Sequence, residues 1–195
     1  MNDWLPAAGA GDEQAAAAIF RRFSPAVFRL AVSLLNDTED ADEVLQDTFV
    51  YALRNIRRYD PAKSAFQTWL FTIAISRCRN KRRRKWLPSV AWNWFLREEP
   101  LSPVANRSIE DWLVVRGLQG ELWAAVQSLS PNLREALILR YVGELAYAEI
   151  GAAVGCGSKA AESRVRTAVA TLRKRFVAQG RPASDWLEAL AESNL

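Results

Sequence analysis

Residues 65–86 read AFQTWLFTIAISRCRNKRRRKW, and the fold class turns on them. Phe66, Trp69, Leu70, Ile73 and Ala74 recur at spacings of three and four, the period of one helix face. Ser64 with Gln67 fits a capping box that opens a long helix at about Ala65. The far end of the helix differs in character. Arg77, Arg79, Lys81, Arg82, Arg83, Arg84 and Lys85 place seven cations within nine residues.

Moving towards the N-terminus, the same period persists. It predicts a first helix over Glu13–Phe23 and a second over Pro25–Leu35, with Ser24-Pro25 as a cap followed by proline at the first helical position. Val27, Leu30, Val32 and Leu34 would face the core. Asn36-Asp37-Thr38 reads as a turn, with Thr38 capping a third helix whose apolar positions are Val44, Leu45, Phe49, Ala52, Leu53 and Ile56. Glu39 and Asp40 in its first turn oppose the helix dipole. Tyr59-Asp60-Pro61-Ala62-Lys63 is a loop.

Towards the C-terminus the composition shifts. Residues 87–108 carry Pro88, Pro100 and Pro103 and read as a linker, one that also holds Trp92, Trp94 and Phe95. Helical spacing resumes near Ile109, with Leu118, Leu122, Val126 and Leu129 on one face. Ser130-Pro131 starts a helix to about Val142, with Leu133, Leu137, Ile138 and Tyr141 inside. A short helix over Tyr147–Val154, a Gly155-Cys156-Gly157 turn and a long helix over Ser158–Val177 follow. Gly180-Arg181-Pro182 ends that helix, and Ser184 can cap a terminal one bearing Trp186, Leu187 and Leu190. The expected fold is all-α: two small helical domains, over 11–86 and 109–178, joined by the linker, with a tail over 179–195.

Composition bounds the chemistry. The chain has 195 residues, half of them hydrophobic and a quarter charged, which suits a folded domain. Lys+Arg is 26 against 22 Asp+Glu, a net charge of +4 that permits a polyanionic partner without requiring one. Histidine is absent, which excludes histidine triads and histidine-ligated metals. Cys78 and Cys156 form neither a zinc cluster nor a disulfide scaffold, so a reducing compartment is the default. No apolar run nears the roughly 18 residues of a membrane span, and the N-terminus lacks a signal peptide. A cytoplasmic protein is expected, without catalytic residues, metal or cofactor.

Four features could carry function. The cations over Arg77–Lys85 suit phosphates, or they form a solvated helix end. The neighbouring Tyr59, Phe66, Trp69 and Phe71 suit unpaired bases, or they pack in the core. The helix, glycine turn and helix over Tyr147–Val177 fit a helix-turn-helix, with Glu149, Ile150, Gly155, Val165 and Leu172 placed as such a unit needs; a plain helical hairpin has the same outline. The crowded carboxylates Glu39, Asp40, Asp42, Glu43 and Asp47 suit a protein contact better than catalysis, because no nucleophile or histidine accompanies them. A solvated acidic face is the plainer alternative.

The pieces together resemble one family. Glu39 to Phe49 (EDADEVLQDTF), Phe66 to Ala74 (FQTWLFTIA) and Arg82-Arg83-Arg84 are similar to region two of the extracytoplasmic-function (ECF) sigma factors. Leu129-Ser130-Pro131, Arg134 to Tyr141 (REALILRY), Tyr147 to Gly151 (YAEIG) and Ser163-Arg164-Val165 are similar to region four. The resemblance implies a promoter-specificity subunit of bacterial RNA polymerase that directs promoter recognition, DNA melting and initiation. It implies that Asp42, Glu43, Gln46 and Asp47 meet the clamp coiled coil of the β′ subunit of core polymerase. It implies that Tyr59, Lys63, Ser64, Ser76, Arg77, Asn80, Arg83 and Arg84 bind the minus-ten strand. Lys159, Glu162, Ser163, Arg164 and Arg166 would lie near minus-thirty-five DNA, and an anti-sigma factor is an expected partner.

The chain departs from the family pattern in places. Ser76 and Asn80 stand where members often carry Asn and Asp. Lys159 to Arg164 reads KAAESR where Gly-Thr-Val-Lys-Ser-Arg is usual, so a cation is replaced by Glu162. A carboxylate there can accept from cytosine N4 but repels phosphate. Either the minus-thirty-five sequence is unusual or that contact is weak. The Trp-rich linker could pack on a domain, line the polymerase RNA channel or meet an anti-sigma partner. A helix-turn-helix regulator binding duplex DNA without polymerase is the alternative function, and a metal-dependent nuclease built on the third helix is a more distant one.

Overall fold

The computed structural model describes residues 4–86 and 120–177, and among them no strand occurs. The chain divides into two compact units, Met1–Asn106 and Arg107–Leu195. Expectations for the linker, for Ile109 and Leu118, and for the terminal helix with Trp186, Leu187 and Leu190 lie outside the described residues.

The first unit contains α1 (Trp4–Gly9), α2 (Glu13–Leu35), α3 (Thr38–Arg54), a 3-10 turn (Ile56–Arg58) and α4 (Phe66–Trp86). Helices α2, α3 and α4 pack against one another around Val27, Leu30, Leu34, Phe49, Leu70, Phe71 and Ile75, all fully or almost fully buried. Each such large apolar side chain contributes about 1.5–3 kcal/mol on burial.

Here the structure corrects several expectations. The two helices predicted over 13–35 are a single helix with Pro25 inside it. Ala15, Ile19, Val27, Leu30, Ala31 and Leu34 form one buried stripe across both halves, and Ser24 is itself buried. A continuous stripe outweighs the hydrogen bond that proline cannot donate. The cap of α3 is Asp37, which accepts from the Asp40 N–H at 3.0 Å, so Thr38 is the first residue inside the helix. The first backbone bond of α4 runs from Trp69 N to Ala65 O, so Ser64 stands one residue ahead of the cap position. Ile56 is buried, but from the 3-10 turn and not from α3. Helix α1 lies ahead of the helices expected from the sequence; Arg57 donates to its Gly9 carbonyl at 2.9 and 3.1 Å and ties it to the 3-10 turn.

The second unit contains α5 (Gly120–Ser128), α6 (Pro131–Tyr141), α7 (Tyr147–Val154) and α8 (Ser158–Val177). Its core holds Leu122, Val126, Leu137, Ile138, Ile150, Val165, Leu172 and Phe176. Leu133 and Tyr141, expected inside, are only half-buried because they flank the inward stripe of α6. Ser130 caps α6 by position, with Pro131 at the first turn. Arg140 donates to Leu145 O at 3.0 Å and holds the loop between α6 and α7.

Candidate nucleic-acid interface

Helix α4 owes its division of labour to its two halves. Leu70, Phe71, Ile73, Ala74, Ile75 and Cys78 are buried. Thr72, Ser76, Arg79, Arg83 and Arg84 are exposed, and Arg77, Asn80 and Arg82 are half-buried at the border. Ser76, Asn80 and Arg83 follow one another at helical spacing, and Arg83 Nη2 lies 3.4 Å from Asn80 Oδ1. The Arg77 guanidinium stands 5.1 Å from the ring centre of Tyr51, an exposed α3 aromatic outside the residues expected at the site.

The loop ahead of α4 is tied down by its own atoms. Asp60 Oδ1 accepts from Ala62 N at 3.0 Å, and Lys63 N donates to Asp60 O at 3.1 Å. The Tyr59 hydroxyl donates to Ser64 O at 3.0 Å. The Tyr59 ring meets Phe66 at 5.1 Å and Trp69 at 5.5 Å, and Phe66 meets Phe23 at 5.2 Å. Burial, and then the neighbouring Asp60 charge, raise the Tyr59 phenol above its ordinary value of 10.0. The aromatics thus divide. Phe66 and Phe71 are core, Tyr59 and Trp69 are half-buried and brace the loop, and Lys63, with 83% of its side chain exposed, lies 3.5 Å from Asp60 Oδ2 at the loop surface.

The carboxylates lie on the neighbouring helix. Asp42, Glu43 and Asp47 are exposed on α3 and Gln46 is half-buried, donating from Nε2 to Asp42 Oδ2 at 2.9 Å. Asp40 points inward. Its Oδ1 lies 3.3 Å from Lys81 Nζ, and Glu43 Oε2 pairs with the same ammonium. Burial alone would lower the Lys81 pKa. Its hydrogen bond to Glu43 and that charge, followed by those of Asp40, outweigh burial and leave it above its ordinary 10.5. Neither partner was legible as such, yet a signal existed. Extending the inward stripe Leu70, Ala74, Cys78 by three residues lands on Lys81, which sets it apart from its cationic neighbours.

In the second unit, α7, the turn and α8 form a helix-turn-helix. Gly155 ends α7 at φ +76°, and Cys156 N donates to Gly151 O at 2.8 Å. Glu149 reaches back to Ala146 N at 2.9 Å. Ala161, Val165, Ala168, Leu172 and Phe176 are the buried stripe of α8. Lys159, Ser163 and Arg166 are exposed at spacings of four and three, whereas Glu162 and Arg164 sit half-buried beside them. Among the described residues no group of carboxylates and thiols could hold a metal ion, and no helix is long and apolar enough to cross a membrane.

The sigma-70 region 2 family model matches residues 19–87, and the sigma-70 region 4 model matches residues 119–172. The RNA polymerase sigma factor CarQ of Myxococcus xanthus is 30% identical over 165 residues, covering 84% of this chain and 90% of that protein. The ECF sigma factor SigE of Mycolicibacterium smegmatis is 29% identical over 161 residues, covering 80% of this chain and 59% of its own length. This chain belongs to the ECF sigma factors. SigW of Bacillus subtilis is 26% identical to this sigma factor over 171 residues, covering 91% of that protein. Among solved structures, CnrH in complex with the cytosolic domain of CnrY is similar at a TM-score of 0.66 and 25% identity, over 90% of the sigma factor and 96% of that chain. Sigma factor RpoE of Bartonella quintana, solved with the anti-sigma factor NepR, shares the fold at a TM-score of 0.60 and 24% identity, over 81% and 94%.

Proposed function

We propose that this ECF sigma factor docks on core RNA polymerase through α3 and grips the unpaired minus-ten strand through α4. The observation that carries the reading is the segregation of charge on two packed helices. Asp42, Glu43 and Asp47 face outward from α3, while Ser76, Arg79, Arg83 and Arg84 face outward from α4. An acidic surface fits a basic partner such as the β′ clamp coiled coil, with Gln46 adding a hydrogen-bonding amide. A cationic helix beside a braced loop fits phosphates and extruded bases. In this assignment Tyr59 and Ser64 hold the loop, Lys63 reaches from it, and Ser76, Arg77, Asn80, Arg83 and Arg84 line the strand.

The α8 face of Lys159, Ser163 and Arg166 would enter the major groove at minus-thirty-five, with Glu162 and Arg164 at its edge. Residues 11–86 act as region two, 87–108 as linker and 109–178 as region four, ahead of the 179–195 tail. The subunit works in the cytoplasm without catalysis of its own. The relative crystallised with an anti-sigma factor supports a similar restraint here. A regulator of duplex DNA alone would leave the acidic face of α3 without a role.

Run-off transcription with core polymerase and genomic DNA tests the proposal. Defined start sites are expected, and Gln46→Ala with Asp47→Ala should weaken binding to core polymerase while helix content is kept. Absence of initiation from every template would refute it.

A further inference from the structure

We propose that Lys81 is a phosphate contact gated by polymerase docking: the free chain holds its ammonium against Glu43, and a partner cation that takes Glu43 releases it to the DNA strand. The inference rests on the assignment of α3 to polymerase and α4 to DNA.

The geometry is asymmetric in a way that suits a gate. Lys81 meets two carboxylates of α3, Asp40 and Glu43. The Asp40 side chain is 12% exposed and that of Glu43 is 68% exposed. Asp40 is therefore sheltered from a partner, and Glu43 is open to one. Glu43 also shares its face with Asp42 and Asp47, so a basic surface that covers those residues covers it too. Lys81 itself stands on the DNA helix, one residue from Asn80 and one turn from Arg77 and Arg84. Its side chain is 21% exposed and sits at the seam between the helices, not in the core.

A lysine ammonium on a four-carbon stem is a mobile point charge. Held by Glu43, it stays turned toward α3, and a phosphate on the outer side of α4 would compete with Glu43 for the same stem. Once Glu43 is taken, the ammonium can keep its contact with Asp40 and still turn its other donors outward. The exposed pair with Glu43 is weak enough to exchange, of the size that ordinary surface pairs show. A partner guanidinium on Glu43 would therefore free a donor on the adjoining helix. Linkage then requires the converse: DNA bound at Lys81 leaves Glu43 unpaired and tightens the polymerase contact.

The test uses the full chain, purified core polymerase and a labelled forked oligonucleotide with an unpaired non-template strand. Fork affinity is measured with and without core polymerase across a salt series. In the wild type, docking should add one phosphate contact, raising the salt slope by about 0.7 beyond what polymerase contributes to a Lys81→Met complex. Lys81→Met should bind core polymerase about two- to fivefold more tightly, because Glu43 is no longer pre-engaged. It should lose a similar factor from the fork affinity gained on docking. Glu43→Gln should do the reverse in the free chain, binding the fork about two- to fivefold better without polymerase. Lys81→Arg should behave as wild type.

A purely structural Lys81 would make Lys81→Met weaker or unchanged towards polymerase, and that result overturns the gate. If Lys81→Met does not fold, an unchanged free-chain fork affinity in Glu43→Gln overturns it equally. Asp47→Ala separates the two levels. If it leaves polymerase affinity unchanged, the α3 assignment fails and the gate with it; if it weakens polymerase binding while Lys81→Met fails to strengthen it, the gate alone fails.

Discussion

Gly151 shows how one missing methyl group shapes the second unit. A Cβ at this position would lie 2.6 Å from the Cys156 carbonyl oxygen, 3.1 Å from Gly157 C and 3.2 Å from Ser158 N. All three are backbone atoms of the turn and of the first residue of α8, so none can swing aside. The turn is pinned in turn by Cys156 N donating to Gly151 O. Gly151→Ala must push α7 away from the start of α8, and overpacking of this kind costs about 1–3 kcal/mol. The expected result is a lower denaturant midpoint by far-UV circular dichroism. Gly157→Ala, whose Cβ meets nothing within 4 Å, should stay within about 0.5 kcal/mol of wild type. Equal midpoints for both variants would show that the turn yields where the geometry says it cannot. The sequence marks the turn through Gly155 and Gly157. Gly151 closes the YAEIG stretch, but helical spacing alone gives no reason for a glycine there; the reason is the packing of α8 against it.

At the scale of elements, Pro25 is the instructive case. A serine-proline pair ahead of an apolar run is a sound helix start, and at Ser130-Pro131 it is one. At Ser24-Pro25 the same pair lies inside α2. The difference is what surrounds it. Before Ser130 stands Leu129, whose N–H bonds back to Val126 O as α5 closes. Before Ser24 the stripe of Ala15 and Ile19 continues in phase into Val27 and Leu30, and no turn residue interrupts it. Phase across a candidate break, not the capping pair alone, separates the two cases.

Proline in a helix interior costs about 3 kcal/mol, partly offset by the roughly 0.4–1 kcal/mol by which it stiffens the unfolded chain. Pro25→Ala should therefore stabilise the first unit by about 2 kcal/mol, read as a higher urea midpoint. A lower midpoint would mean that α2 needs the break after all. Helix periods, the helix-turn-helix bounds and the acidic and basic faces were legible because they are local patterns. The Lys81 pairing with Asp40 and Glu43, and the tie from Arg57 to Gly9, join residues about 40 and 48 positions apart and exist only once helices pack.

For the whole molecule the question is whether net charge or its placement drives DNA binding. A net charge of +4 over 195 residues is modest, and long-range attraction from it is screened beyond about 8–10 Å at ordinary ionic strength. Placement is the stronger lever, because each phosphate neutralised in contact releases condensed counterions whatever the total charge. Two double variants separate the effects. Arg83→Ala with Arg84→Ala, and Arg21→Ala with Arg22→Ala on α2, each remove two exposed cations and bring the net charge to the same value. If placement governs, only the first pair should flatten the salt dependence of fork binding in the polymerase complex, by about 1.4 in the slope of log K against log salt for a single strand. The α2 pair should leave that slope as it is in wild type. Equal slopes for the two variants would make α4 one cationic surface among others and remove the reason for assigning it the unpaired strand.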